Sequence, residues 1–565
     1  MTRLVLGLLF AIGLVGCGDG GTNPPPPPPP STLAQCATQP ILQLAIGEHR
    51  VVDPSQTAGC VRVPVAGAQG AGYLVVAAST AGSVTASGVS GTYLLRTGAP
   101  AAAAPVAAIR SDPIERPFVA RPSAAEQFDR TLRRLESRLA AQPESHAVAR
   151  APGVQSVPPP VGDVRTFKAC GNLDCNQFVN VIATARYVGT KAAIYADQTV
   201  PTTDTLLETD YQDLGQTFDS RLYAIDQAAF GPESDIDAND RIVILLTDAV
   251  NALTPDCTNG RVVGYFFGAD LITTGPNAVN SNKSEIFFTL VPSPATATCT
   301  AYSRTTAVRQ LKPTLIHELQ HMISWNQHVI VRNGGSEETW LNEALSHYAE
   351  ELGGRLVPDV ECPGASSCRS QYVSGDIFNA YDYFRDPEAA FLIYPSASSG
   401  TLEERGASWS FLRYVIDQFA TDTLLGSDFT PGLVQTNLRG VTNLTSRGGA
   451  VFSQLVPEWL MAAYLDDRPG FSGLSPRLRF KSWGLRAIWT NPANAQAFPQ
   501  GFPLVPDSTN GAYTRTGTLR GGSGRHLILY QAANGSPIDL QLVRDAQGNP
   551  IDAALAARIG IVRIR

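Results

Sequence analysis

Apolar positions follow three regimes along the chain. Residues 33–100 carry short alternating runs, Ile41-Leu-Gln-Leu, Val61-Arg-Val-Pro-Val and Tyr73-Leu-Val-Val, divided by Gly, Ser and Thr. A period of two is the mark of strands, so a small β-rich module is expected there. Residues 101–162 form an Ala/Pro-rich linker interrupted by one helix, 123–142. Ser123-Ala-Ala-Glu126 is a capping box, and Phe128, Leu132, Leu135 and Leu139 make one stripe at helical spacing. That stripe predicts a spacer helix docked on its neighbour; the alternative is the arm of a pro-region.

From residue 163 the pattern becomes mixed. Residues 192–196, 241–247, 262–267 and 285–290 read as strands from their continuous apolar, β-branched and aromatic runs. Residues 205–230, 339–352 and most of 405–466 read as helices. Another helix holds His317, with Pro313 expected in its first turn, and Gly353-Gly354 is expected to stop the helix that begins near 339. Residues 471–565 return to strands at 526–530, 538–543 and 559–564, a C-terminal β-rich module. The class predicted is α+β: a mixed sheet with a histidine-bearing helix and a helical lobe, flanked by small β-rich modules.

Charge changes this picture little. The chain has 565 residues, 43 Lys and Arg against 50 Asp and Glu, and a net charge of −7. Without a basic run, nucleic acid is not an expected partner. A length of this order exceeds one core, so several domains are expected, in a monomer. The first residues matter more. Met1-Thr-Arg3 precedes an apolar run from Leu4 to Val15, short for a spanning helix and suited to a signal peptide, 1–16. Leu14-Val15-Gly16-Cys17 resembles the lipobox of bacterial lipoproteins, which implies cleavage before Cys17 and acylation of its thiol. Residues 17–32, with Pro24 to Pro30, are then a stiff tether, and the expected location is the cell envelope, lipid-anchored. Gly18 after Cys17 favours outward sorting by the same resemblance. Secretion is the runner-up.

An exported protein with eight further cysteines is expected to pair them. Short loop closure favours sequence neighbours: Cys36 with Cys60, Cys170 with Cys175, Cys257 with Cys299 and Cys362 with Cys368. A structural zinc cluster is the competing reading, weakened by the absence of Cys-x-x-Cys.

The chemistry concentrates elsewhere. Four of the seven histidines lie between His317 and His347. His317-Glu318-Leu-Gln-His321 on a helix puts two imidazoles one turn apart on one face, where both can hold one Zn²⁺. Glu318 lies beside them without ligating and can take a proton from water. A third ligand is expected from a nearby element. Glu343 in Trp340-Leu-Asn-Glu343-Ala-Leu-Ser-His347-Tyr348 is preferred, with Ala344, Leu345, Tyr348 and Leu352 forming the apolar stripe beside it. His347 is either a ligand in place of Glu343 or a group that orients one. His347, Tyr348 and the tyrosines 381, 383 and 394 are candidates to stabilise an oxyanion.

These two segments are similar to the gluzincins, in which the third zinc ligand is a glutamate in an Asn-Glu pair. With Ser234-Asp-Ile-Asp-Ala-Asn-Asp-Arg241-Ile-Val-Ile-Leu, Gly264-Tyr-Phe-Phe-Gly-Ala-Asp270-Leu and Ser346-His-Tyr-Ala-Glu-Glu-Leu, the chain resembles the hyicolysin family of bacterial metallopeptidases. The resemblance covers roughly 163–470. It implies a zincin-like catalytic domain, one Zn²⁺, protein or peptide substrates, and an extracellular endopeptidase. Alternatives are a gluzincin-type aminopeptidase, for which no amine-binding element is visible, and a non-catalytic surface lipoprotein with a structural zinc.

Other features read blandly. Asp235-x-Asp237-x-Asn239 resembles the start of a Ca²⁺ loop, but Asp240 replaces the turn glycine and Leu246 the bidentate glutamate, so a polar turn is preferred. Gly521-Gly-Ser-Gly is a turn, and Trp409, Tyr414 and Phe419 are core. Strand 284–291 is either an ordinary sheet member or the edge on which a substrate backbone pairs.

Overall fold

The computed structural model describes residues 29–98, 123–146, 157–200, 204–258, 260–449, 451–471 and 473–565. The signal peptide, Cys17, most of the tether and the stretch 101–122 lie outside the described residues. In chain order, β1 (His49–Val52), β2 (Cys60–Val63), β3 (Ala71–Ala78) and β4 (Ser90–Thr97) precede α1 (Ala124–Leu139). Next come β5 (Val164–Cys170), β6 (Phe178–Val188), β7 (Ala192–Asp197), α2 (Glu208–Thr217), α3 (Tyr223–Phe230), β8 (Ile242–Leu246), α4 (Asp248–Ala252), β9 (Gly264–Phe266) and β10 (Ile286–Thr289). A helical run follows: α5 (Arg304–Trp325), α6 (Thr339–Leu356), α7 (Cys368–Arg385), α8 (Leu402–Phe419), α9 (Thr430–Val434), α10 (Gly440–Thr445), α11 (Phe452–Leu465) and α12 (Leu485–Trp489). The chain ends in β11 (Asp507–Thr509), β12 (Tyr513–Arg520), β13 (Gly524–Gln531), β14 (Ile538–Val543) and β15 (Arg558–Arg563). The class is α+β.

The middle of the chain builds a six-stranded mixed sheet ordered β5-β6-β7-β8-β10-β9. β7, β8 and β10 run parallel, and their fully buried residues account for the continuous apolar runs in the sequence. The edge strands are β5 and β9, and β9 pairs antiparallel with β10. Of the two readings for strand 284–291, the structure takes the sheet member: β10 is interior, and the edge belongs to 264–266.

The two β-rich ends do not stand apart. Their strands alternate within two sheets, β1-β15-β3-β13-β11 and β12-β4-β14-β2, facing each other as a sandwich. β3 explains why. All eight of its residues are buried: Tyr73, Val75 and Ala77 face the inter-sheet core, while Leu74, Val76 and Ala78 join the main core on the other side. A strand covered on both faces needs partners that the N-terminal segment lacks, and β13 and β15 supply them. α11 packs against β3 and β15, and His526 on β13 meets the Leu460 carbonyl at 2.9 Å.

Two helix limits differ from expectation. α5 begins at Arg304, capped by the Ser303 hydroxyl, so Pro313 lies inside it. Buried Ala307, Leu311 and Leu315 at spacing four carry the apolar face back past the proline. Gly353 and Gly354 do not end α6; they sit within it, where α7 presses close. A Cβ on Gly353 would meet the Tyr372 ring at 2.6 Å, and one on Gly354 would meet Val373 at 2.6 Å. The eight cysteines join as the four neighbour pairs. Among the described residues no helix is long and apolar enough to cross a membrane.

Candidate active site

α5 and α6 pack side by side, and their facing side chains converge at one end of a cleft of about 620 Å³. The helical spacing of His317 and His321 turns both rings to the same side, and their Nε2 atoms face each other at 3.2 Å. Glu343 reaches the same point from α6, one oxygen 3.6 Å from His321 Nε2 and the other 3.9 Å from His317 Nε2. Two ligands of one tetrahedral zinc, with bonds of about 2.0–2.1 Å, stand roughly 3.3 Å apart. The two imidazoles therefore already have the spacing such an ion requires.

The state of the donors fits as well. Glu343 is fully buried and neither carboxylate oxygen accepts a hydrogen bond; Arg405 Nη1 on α8 lies 3.0 Å from Oε2 as an ion pair. Arg405 balances part of this buried charge, and the lone pairs facing the two imidazoles remain for a metal to fill. Burial, helped by Arg133 and His317, holds His321 well below the usual histidine range, so its ring is neutral and able to ligate.

The His317 ring is fixed from behind. His317 Nδ1 meets Glu350 Oε1 at 2.7 Å, leaving Nε2 for the cleft. Burial alone would lower the His317 pKa, but the Glu350 hydrogen bond and charge raise it. His321 is contacted by the Ser346 hydroxyl, which donates to Gln320 Oε1 at 2.6 Å. His347 does not join the His321 and Glu343 set: its Nδ1 lies 3.1 Å from Glu350 and 2.8 Å from Asp376. Against the cost of burial, Asp376 and Glu350 push the His347 pKa up to about 10, and its charge brings Glu350 down to about 2. His347 thus braces Glu350, which orients His317. A set of His317, His347 and Glu350 also comes together, and there Glu350 already meets His317 Nδ1 at hydrogen-bond distance.

Glu318 lies on the cleft wall. The Phe266 N–H donates to its Oε2 at 2.7 Å, tying the acid to β9, an edge strand of the sheet. Burial raises its pKa, opposed by His317 and Arg133. Tyr348 is not where an oxyanion donor must be. Its hydroxyl bonds the Leu424 carbonyl at 3.2 Å and accepts from Arg413, because the apolar stripe of α6 turns it into the helical lobe. Tyr381, Tyr383 and Tyr394 are likewise absent from the cleft walls.

Three contributors escaped sequence reading: Glu350, Arg405 and α1. Glu350 was findable, one turn after His347 and two after Glu343. Arg405 leaves no local signal, and α1, legible as a helix, gives none of its place beside the cleft. α1 forms one wall of the cleft, with Phe128 packed edge-on to Tyr265 at 4.9 Å. Arg133 Nη2 donates to the Phe266 carbonyl at 3.2 Å, and the Gly268 N–H donates to Glu136 at 2.8 Å. Arg405 links Asp129 of α1 to Glu343. The expected docking of the 123–142 stripe is thus onto the β9 edge.

No family model matches the chain. The neutral metalloprotease ShpI of Staphylococcus hyicus is 25% identical over 194 residues, 34% of this chain. The aligned part spans 40% of that relative's length. Among solved structures, the M1 zinc metallopeptidase of Deinococcus radiodurans aligns over 52% of this chain and 51% of its own at 12% identity, with a TM-score of 0.29. A mutant of it bound to a Tyr-Ser-Ala substrate gives the same coverage at 16% identity and a TM-score of 0.28. Likeness that slight carries no functional reading.

Proposed function

We propose that the chain is a zinc-dependent peptidase, and within that class an extracytoplasmic endopeptidase. The observation that carries the reading is the convergence of His317 Nε2, His321 Nε2 and Glu343 on one point beside Glu318 in an open cleft. The partial sequence likeness to a neutral metalloprotease points the same way. His317, His321 and Glu343 would hold the metal, and His347 would act through Glu350.

When bound, zinc polarises a peptide carbonyl and acidifies water in its remaining position. The protein's own part falls to Glu318. One oxygen is fixed by the Phe266 N–H, which leaves the other to accept a proton from water and deliver it to the departing amine. Substrate backbone is expected to approach β9, the sheet edge beside Glu318, which α1 covers. The resemblance of residues 1–17 to a lipoprotein signal supports a lipid-anchored chain in the cell envelope, with secretion as the alternative.

Endopeptidase is preferred over aminopeptidase because the carboxylates of the cleft outside the proposed metal and proton-carrying set are already engaged: Glu126 accepts from the Ser123 N–H, Asp129 pairs with Arg133 and Arg405, and Glu350 holds His317 and His347. The test uses the zinc-loaded full chain on N-terminally blocked and free peptides, with products read by mass spectrometry. Internal cleavage of blocked peptides is expected. Release of single N-terminal residues from free peptides alone would reverse the assignment.

A further inference from the structure

We infer that α1 is an intramolecular inhibitor, a helix of this chain seated where a substrate strand must lie. The inference rests on the peptidase reading and adds its regulation. A strand joining the β9 edge needs the Phe266 carbonyl as acceptor and, further along the same side, the Gly268 N–H as donor. α1 holds both. Arg133 Nη2 donates to the Phe266 carbonyl at 3.2 Å, and the Gly268 N–H donates to Glu136 Oε1 at 2.8 Å. A cation of the cleft is taken as well: Asp129 pairs with Arg405, which also faces Glu343. One helix thus fills a backbone acceptor, a backbone donor and a side-chain cation beside the proposed metal donors, and Phe128 closes over Tyr265.

The way α1 is seated suits a helix that can leave. A fixed wall packs like a protein interior, with few spaces larger than a water. Clefts of about 620, 830 and 500 Å³ instead border α1: one past Asp129 and Leu132, one past Arg130 and Arg134, one past Leu135 and Leu139. Its contact face is also charged. Arg133 and Glu136 are 8% and 3% exposed and pair with each other at 2.8 Å. A buried ion pair adds little to a permanent contact, whereas both partners are soluble once the surfaces part. Hydrogen bonds hold the two ends. The Ser399 hydroxyl donates to the Glu126 carbonyl at 2.9 Å, and His146 Nδ1 meets the Val329 carbonyl at 2.9 Å. With 16 residues α1 is about 24 Å long, roughly seven residues of extended chain, so it excludes a stretch of substrate and not one side chain.

The experiment uses the zinc-loaded full chain. Asp129→Ala with Glu136→Ala removes the carboxylates that hold Arg405 and the Gly268 N–H, and spares Glu318 and every proposed metal donor. KM for a long N-terminally blocked peptide should fall severalfold, with kcat and zinc content little changed. The milder Glu136→Gln, which keeps the volume, should move KM the same way. A synthetic peptide of residues 123–146 should restore inhibition of the double variant competitively, and the same peptide carrying both alanines should not. Unchanged KM in both variants, or a 123–146 peptide that leaves the double variant's KM as it is, would overturn the inhibitory helix and leave the peptidase standing. Binding of the blocked peptide to the same chains carrying Glu318→Ala keeps the two readings apart. Tighter binding after the Asp129 and Glu136 substitutions, with no cleavage by any form, would support the helix and end the peptidase assignment.

Discussion

Glu343 and His347 differ by one helical turn on the same side of α6, yet their surroundings give them opposite tasks. Glu343 ends in open lone pairs facing His317 and His321, whereas His347 ends between Asp376 and Glu350. Glu343→Ala should therefore lose the metal, and His347→Ala should retain most of it. Zinc content after dialysis measures both, and the reverse ranking would exchange their roles. Glu350→Gln, which keeps a hydrogen bond to His317 but loses the charge, should weaken zinc binding by about 10–100-fold. The pair His317 and His321 was legible because four residues is one helical turn. Glu350 and Arg405 were less so, since a carboxylate that orients a ring and an arginine that pairs with a ligand are defined by what they touch.

Elements are placed by covered faces, and α1 shows the consequence. Its stripe was legible as amphipathic, but its docking surface was not, because β9, read from the sequence as strand 262–267, lies 125 positions or more away and carries no mark of what covers it. The helix lies on the sheet edge beside Glu318 and holds backbone groups at Phe266 and Gly268. A substrate strand seeking that edge meets α1 first. Phe128→Ala with Leu132→Ala removes the apolar anchor and leaves every charged group of the cleft in place. Cleavage of a long peptide should rise severalfold at unchanged zinc content, and an unchanged rate would show that α1 stands clear of the path. The limits of α5 and α6 slipped for a related reason. Pro313 and Gly353-Gly354 are breakers by local rule, and tertiary packing of Ala307, Leu311 and Tyr372 overrides them.

On the scale of the whole molecule, the chain closes on itself. Residues from both ends interleave in one sandwich, a pairing across more than four hundred positions that no local pattern encodes. The apolar run of β3 was legible; which strands would flank it was not. His526 is buried where this sandwich meets α11, and burial together with Arg525 lowers its pKa to about 4. The sign follows. Above pH 6.5 neither folded nor unfolded chain protonates this ring, and below it the unfolded chain takes a proton that the folded one refuses. This group then costs stability progressively from pH 6.5 down towards 4, up to about 3 kcal/mol. Urea unfolding at pH 7 and pH 5 should show a smaller acid loss in His526→Gln than in wild type, and equal losses would remove His526 as a cause.

The central claim is one zinc held by His317, His321 and Glu343 with Glu318 as the proton carrier. Its most direct measurement is zinc content and protein cleavage in Glu318→Ala beside wild type. One zinc per chain in both, with cleavage reduced at least about a hundredfold in the variant, is predicted. Cleavage at the wild-type rate by Glu318→Ala, or a wild-type chain that holds no zinc, would contradict it.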